Sequence, residues 1–210
     1  MRETLAELTL YLITDRKLIP HSSSLTDAVE DALKAGVKAV QLREKDLPVR
    51  ELLALAYRMR EVTTRYSAML FINDRVDIAL CTEADGVHLG RSGIPVHAAR
   101  KLAGRRLLIG ASTHHLEEAL AAEREGADFI TFGPLYDTPS KRKYGEPVGL
   151  GALHTVSEQI SLPVLGIGGI TTGRVKEVLN AGARGVALIS GILGEADIEG
   201  AAKKYLRIVG

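Results

Sequence analysis

The chain has 210 residues, of which 46% are hydrophobic and 25% charged, and its 27 lysines and arginines against 26 aspartates and glutamates leave a formal net charge of +1. This composition, without charge blocks or low-complexity tracts, excludes a disordered or collagen-like chain, and the balanced charge gives no general reason to expect nucleic acid or an acidic membrane as a partner. The length predicts one domain over residues 1–210 with a single buried core.

The N-terminal segment carries too short an apolar stretch, interrupted by acidic residues, for a signal peptide, and nowhere do eighteen apolar residues run together. The expectation is a cytoplasmic protein with no membrane partner. The single cysteine, Cys81, ends the apolar run 76–81 and has no intrachain disulfide partner, so it reads as a packed core thiol in a reducing compartment.

In chain order, short runs rich in β-branched and aliphatic residues predict strands over 8–14, 37–42, 69–72, 86–89, 107–111, 129–132, 164–167 and 185–189. Helical spacing between them predicts helices over 27–35, 49–66, 96–103, 116–125, 173–181 and 198–208. The segments KAGVKAVQL, EADGVHL, EGADFITF and NAGARGVALI echo one another, each closing a helix and launching a strand, so the repeating unit is a strand followed by a helix. Eight such units imply a parallel sheet, either an open doubly wound one or a closed (β/α)8 TIM barrel. The strand count and the polar residues at many strand C-terminal ends favour the barrel, whose active sites lie at that end.

The second strand runs into Gln41-Leu42-Arg43-Glu44-Lys45, where alternation places Gln41, Arg43 and Lys45 on one face and Leu42 and Glu44 on the other. Two cations and an amide at a strand end suit an anionic ligand, although solvated surface charges would read the same. The third strand ends in Asn73-Asp74-Arg75; Asp74 suits Mg2+ shared with phosphates, or alternatively caps the helix beginning near Arg75. After the fifth strand come Ser112, open to ligand contact, Thr113, read as a helix cap, and His114 and His115.

The longest interruption, 133–147, holds Thr138, Ser140 and Lys141, two hydroxyls and a cation suited to covering a charged leaving group. The seventh strand leads into Gly168-Gly169 and the eighth into Ser190-Gly191, each followed by a helix. Glycines there admit a ligand to backbone N–H groups, a helix start favours an anion, and barrels commonly build phosphate sites from these two loops.

Taken with the segments Asp85-Gly86-Val87-His88-Leu89-Gly90 and Phe132-Gly133-Pro134, these motifs resemble, in order and over nearly the whole chain, the thiamine-phosphate synthase/TenI superfamily. The resemblance implies a phosphorylated pyrimidine and a thiazole as small-molecule partners, no nucleic acid or membrane, and leaves a homo-oligomer open. In its synthase branch an aminopyrimidine diphosphate ionises and a thiazole phosphate captures the cation. Carried onto this chain, that implies Arg43 and Lys45 on the diphosphate, Gln41 near the reacting groups, Asn73 on the diphosphate and Asp74 on Mg2+. Ser112, Thr138, Ser140 and Lys141 would complete the pocket, and Gly168, Gly169, Ser190 and Gly191 would take the thiazole phosphate. The synthase pattern places a second metal carboxylate where this chain has Gly93, with Arg91 nearby, so that Gly93→Asp would be expected to restore a ligand. The TenI branch catalyses a metal-free thiazole tautomerisation with a His where this chain has Pro134, leaving His114 or His115 for that role. The synthase is the expected activity; the alternatives are the tautomerase and a non-catalytic barrel that binds thiazole phosphate.

Overall fold

A computed structural model describes residues 5, 8–19, 24–138 and 146–210. Strands β1 (Leu10–Ile13), β2 (Ala39–Leu42), β3 (Met69–Asn73), β4 (Gly86–Leu89), β5 (Leu108–Thr113), β6 (Phe129–Phe132), β7 (Val164–Ile167) and β8 (Gly185–Leu188) pair in parallel in chain order, and β8 returns to β1 to close the barrel. Successive side chains point to opposite faces and so sort each strand between two cores. Tyr11, Ile13, Phe71 and Phe129 fill the interior, while Leu12, Leu70, Ile72 and Ile130 face the helices.

Around the barrel lie α1 (Leu25–Lys34), α2 (Val49–Arg65), α3 (Val76–Cys81), α4 (Val96–Ala103), α5 (Leu116–Glu125), α6 (Gly149–Gln159), α7 (Val175–Asn180), α8 (Ser190–Leu193) and α9 (Ile198–Val209). Helix α2 shows the underlying pattern: Leu52, Leu55, Ala56, Met59, Val62 and Thr63 recur at helical spacing and are buried. The sequence gives no helix for 149–159, where Gly149 and Gly151 weaken the helical signal. The helix expected over 173–181 is a 3-10 turn, Thr172–Arg174, followed by α7. Cys81 is a correction: it is exposed, because the run 76–81 is a helix whose buried residues are Val76, Ile78 and Ala79.

The echoed segments are helix-terminating turns. After α1, α3, α5 and α7 the chain passes through Gly36, Glu83, Gly126 and Gly182, all with positive φ, and the next N–H returns to a carbonyl five residues back, as Ala127 does to Ala122 at 2.9 Å. The structure adds a fifth copy at Ser67, after α2. Two copies carry an aspartate clamp at the start of a strand. Asp85 Oδ2 accepts from Leu70 N (2.8 Å) and Arg60 Nη1 (2.6 Å), and Asp128 Oδ2 accepts from Ile109 N (2.7 Å) and Arg100 Nη2 (2.5 Å). Asp128→Ala takes the acceptor from a buried-strand amide, so it is expected to lower unfolding free energy by about 1–3 kcal/mol. A denaturant midpoint that does not move would show that the Ile109 amide finds another partner.

The barrel floor is aromatic. Tyr11, Phe71 and Phe129 meet edge to face with centroids 5.3–5.6 Å apart, and His88 lies 5.7 Å from Tyr11 and 5.6 Å from Phe129. The register makes room for these rings by pairing Phe71 with Gly86 and Phe129 with Gly110. A Cβ at Gly86 would lie 2.5 Å from the Phe71 ring, and one at Gly110 would lie 2.4 Å from Phe129 Cζ.

Candidate active site

On this floor, the inward residues of β2, β3 and β4 build one wall of the mouth. Gln41 is buried, and its Nε2 donates to Asn73 Oδ1 at 3.3 Å. Asn73 Nδ2 donates to Asp74 Oδ2 at 2.8 Å, and the other carboxylate oxygen accepts from Gly90 N at 2.7 Å. Asp74 adopts φ 59°, a left-handed turn that aspartate tolerates better than most residues. That turn aims its carboxylate across to β4, and the α3 N-cap position is held by Arg75, so the capping alternative for Asp74 does not apply.

Arg43 follows Gln41 by two residues, just past the end of β2. Its backbone N donates to Thr14 Oγ1 (2.9 Å), and Thr14 Oγ1 donates to Glu44 Oε1 (2.7 Å). Glu44, only 4% exposed, also accepts from Arg16 N and Arg16 Nη1. Glu44 and Thr14 thus fix the end of β2 from behind and hold Arg43 at the mouth, a role the sequence reading did not assign. The available signal was a carboxylate on the helix-facing side of a strand end, where burial requires partners. Lys45 is a correction to the one-face expectation. Strand β2 ends at Leu42, and Lys45 stands exposed in the following turn, where strand alternation no longer applies.

The next wall joins Ser112, expected at the mouth, to His88, to which the sequence assigns no role. Ser112, the last inward residue of β5, sits 3.1 Å from His88 Nε2, with Thr131 Oγ1 3.4 Å from the same nitrogen. Burial, and secondarily the charge of Arg43, pushes the His88 pKa down to about 3, so its ring is neutral at physiological pH. The signal was His88 at an inward position of β4 between Val87 and Leu89. Thr113 does not cap a helix: its hydroxyl donates to Thr131 O at 3.1 Å, and the N-cap of α5 is His115. His114 is engaged with Glu118 through both its N–H and Nδ1.

Across the mouth, the loop after β6 is tied to the loop after β7: Leu135 N donates to Ile167 O (2.8 Å) and Tyr136 N to Gly168 O (3.1 Å). Arg174 packs over the Tyr136 ring at 4.3 Å and donates to Gly169 O at 2.7 Å. Gly168 and Gly169 have φ of 97° and 67°, and a Cβ at Gly169 would lie 2.8 Å from Tyr136 Cβ and 3.2 Å from Thr138 Cγ2. Thr138 therefore stands beside the glycine loop, whereas Ser140 and Lys141 fall outside the described residues. Ser190 and Gly191 open α8, so their N–H groups have no carbonyl partner within the helix. The elements after these loops are short, a 3-10 turn on one side and a four-residue helix on the other. Individual N–H donors, more than a helix dipole, are what the loops offer.

Comparison with known proteins places this arrangement. The family model described as "Thiamine monophosphate synthase" matches residues 10–192. The chain belongs to the thiamine monophosphate synthase family. A Geobacter sulfurreducens protein is 52% identical over 203 residues, which cover 97% of this chain and 95% of that one. The thiamine-phosphate synthase of Clostridium novyi is 45% identical, covering 95% and 97%. The structure of a thiamine phosphate pyrophosphorylase from Pyrococcus furiosus superposes with a TM-score of 0.89 at 39% identity, covering 97% of this chain and 96% of that one.

For a synthase-family barrel the metal ligands matter, and the residues here fit a cation only in part. Among the described residues no cluster of three or more His, Cys, Asp or Glu could hold a metal. Asp74 is a single carboxylate whose oxygens already accept from two N–H groups. Gly93 lies directly on it: a Cβ there would be 2.5 Å from Asp74 Oδ1 and 3.2 Å from Gly90 O. An aspartate at Gly93 would therefore first have to turn the Asp74 carboxylate away from its bond to Gly90 N. Titration calorimetry is expected to give Mg2+ alone a Kd of about 1 mM or weaker, tightened at least about tenfold by diphosphate, because Mg2+ draws most of its ligands from water and phosphates. Gly93→Asp should not tighten it further; tight binding without diphosphate would contradict this description.

Proposed function

We propose that the chain is a thiamine-phosphate synthase. It joins an aminopyrimidine diphosphate to a thiazole phosphate: the C–O bond to diphosphate breaks, the pyrimidine cation is captured by the thiazole nitrogen to form a C–N bond, and diphosphate leaves. The observation that carries the reading is the row Gln41, Asn73 and Asp74 beside Arg43, facing the glycine loops across the mouth. Two separated anion sites suit a reaction between two phosphorylated partners; a tautomerisation needs one.

In this mechanism Arg43 and Lys45 neutralise charge that grows on the departing diphosphate, which is stabilisation of the transition state over the ground state. Asn73 donates to the same group, and Gln41 orients Asn73 from below. Lys141 and Ser140 would approach from the loop after β6, with Thr138 at its base. Asp74 would hold Mg2+ arriving with the diphosphate, where the ion supplies further charge neutralisation. Backbone N–H groups of Gly168, Gly169, Ser190 and Gly191 hold the thiazole phosphate and so align its nitrogen.

Incubation with aminopyrimidine diphosphate, thiazole phosphate and Mg2+ is expected to give thiamine phosphate and diphosphate in equal amounts. Metal-free conversion of the thiazole carboxylate phosphate, with no product from the diphosphate, would assign the chain to the tautomerase branch. Binding of thiazole phosphate without either turnover would leave the silent barrel.

A further inference from the structure

The interior residue His88 is used by none of the steps above, yet it is a titratable side chain placed directly beneath Ser112 of the mouth. It is 2% exposed, and its two ring nitrogens stand in unlike surroundings. Nε2 meets two hydroxyl oxygens, Ser112 Oγ at 3.1 Å and Thr131 Oγ1 at 3.4 Å. Nδ1 has no hydrogen-bond partner among the described residues and is pressed on Gly110, where a Cβ would lie 2.5 Å away.

A neutral imidazole carries one N–H, so one nitrogen is donor and the other acceptor. Placing the hydrogen on Nδ1 would bury an N–H against carbon, the costly outcome for a desolvated donor. Placing it on Nε2 gives the N–H an oxygen to meet and leaves only a lone pair facing Gly110. The glycine therefore does two things: it admits the ring and it denies Nδ1 a partner.

We propose that His88 is a positioning residue: held in its Nε2–H tautomer, it donates to Ser112 Oγ and leaves the Ser112 hydroxyl to act as a donor into the barrel mouth. Ser112 then contacts the diphosphate-bearing substrate through its hydrogen, with one lone pair already occupied from below. The opposite tautomer would make His88 a base drawing the proton from Ser112, as for a serine nucleophile, and the packing on Gly110 disfavours it. The kinetic part of this proposal rests on the synthase reading; the tautomer does not.

Nitrogen-15 NMR of the histidine side chains of the wild-type protein, with His88 assigned by its loss in His88→Gln, tests the tautomer directly. The expected result is a protonated Nε2 and a lone-pair Nδ1 from pH 6 to 8; a protonated Nδ1 overturns the proposal. For the kinetics, His88→Gln places an amide nitrogen the same number of bonds from Cα as Nε2 and should retain most of kcat. His88→Leu should lose about tenfold to a hundredfold in kcat with little change in KM for thiazole phosphate, the scale of a mispositioned contact. In a Ser112→Ala background His88→Leu should cost nothing further, because the two residues act as one unit. Equal losses in both backgrounds, or a His88→Gln as poor as His88→Leu, would overturn the positioning role. If His88→Leu does not fold, the NMR result and His88→Gln still decide. A wild type that makes no thiamine phosphate would sink the synthase reading while the tautomer remains measurable.

Discussion

Replacing Arg43 with alanine is expected to lower kcat/KM for thiamine phosphate formation by about a hundredfold to a thousandfold, the usual cost of removing one preorganised charge donor from a developing anion. The reason lies in how little of the surrounding cationic charge is fixed. Lys45 stands exposed in a turn, whereas Arg43 is held by its own backbone bond to Thr14, which Glu44 anchors in turn. Arg43→Lys should recover part of the loss, since it restores charge without a bidentate fork. Steady-state kinetics on folded variants is the check. An Arg43→Ala enzyme within threefold of wild type would remove this residue from the diphosphate site.

The second large effect is expected at Gly169. Valine there must adopt φ of 67° and put its Cβ 2.8 Å from Tyr136 Cβ and 3.1 Å from Asp137 O, so the loop has to move. A left-handed conformation is especially costly for a β-branched residue. The shift would carry away the backbone donors offered to the thiazole phosphate. KM for thiazole phosphate should rise by about tenfold to a hundredfold, the consequence of losing one charge-assisted hydrogen bond of about 1.5–3 kcal/mol. Inhibition by diphosphate should be unchanged, since its site lies across the mouth. Equal damage to both would show that the two anion sites are not separate.

The barrel was legible because its grammar is local. A short apolar strand, buried on both faces, and a helix stopped by a positive-φ turn repeat without reference to distant partners. Gln41, Asn73 and Asp74 were legible for a related reason: each stands at a strand end, and a closed barrel brings all strand ends to one face. What escaped depends on contacts between neighbouring strands that lie far apart in the sequence. Nothing near residue 88 announces that Ser112 lies above it or that Gly110 blocks one of its nitrogens. Likewise, nothing near residue 44 announces Thr14, thirty residues earlier. The contact of Gly93 with Asp74 was hidden in the same way, and it means that a carboxylate added at Gly93 must first shift Asp74. Cys81 failed for a different reason: a six-residue apolar run has no periodicity long enough to separate a helix with one exposed face from a buried segment.

The proposed reaction needs two anion sites facing each other across one barrel mouth. A crystal structure grown with diphosphate and thiazole phosphate together measures this most directly. The predicted result has the diphosphate within hydrogen-bond distance of Arg43 and Asn73, and the thiazole phosphate on the backbone N–H groups of Gly169, Ser190 and Gly191. Both ligands on the same wall, or a thiazole phosphate that leaves the β7 and β8 loops empty, would contradict it.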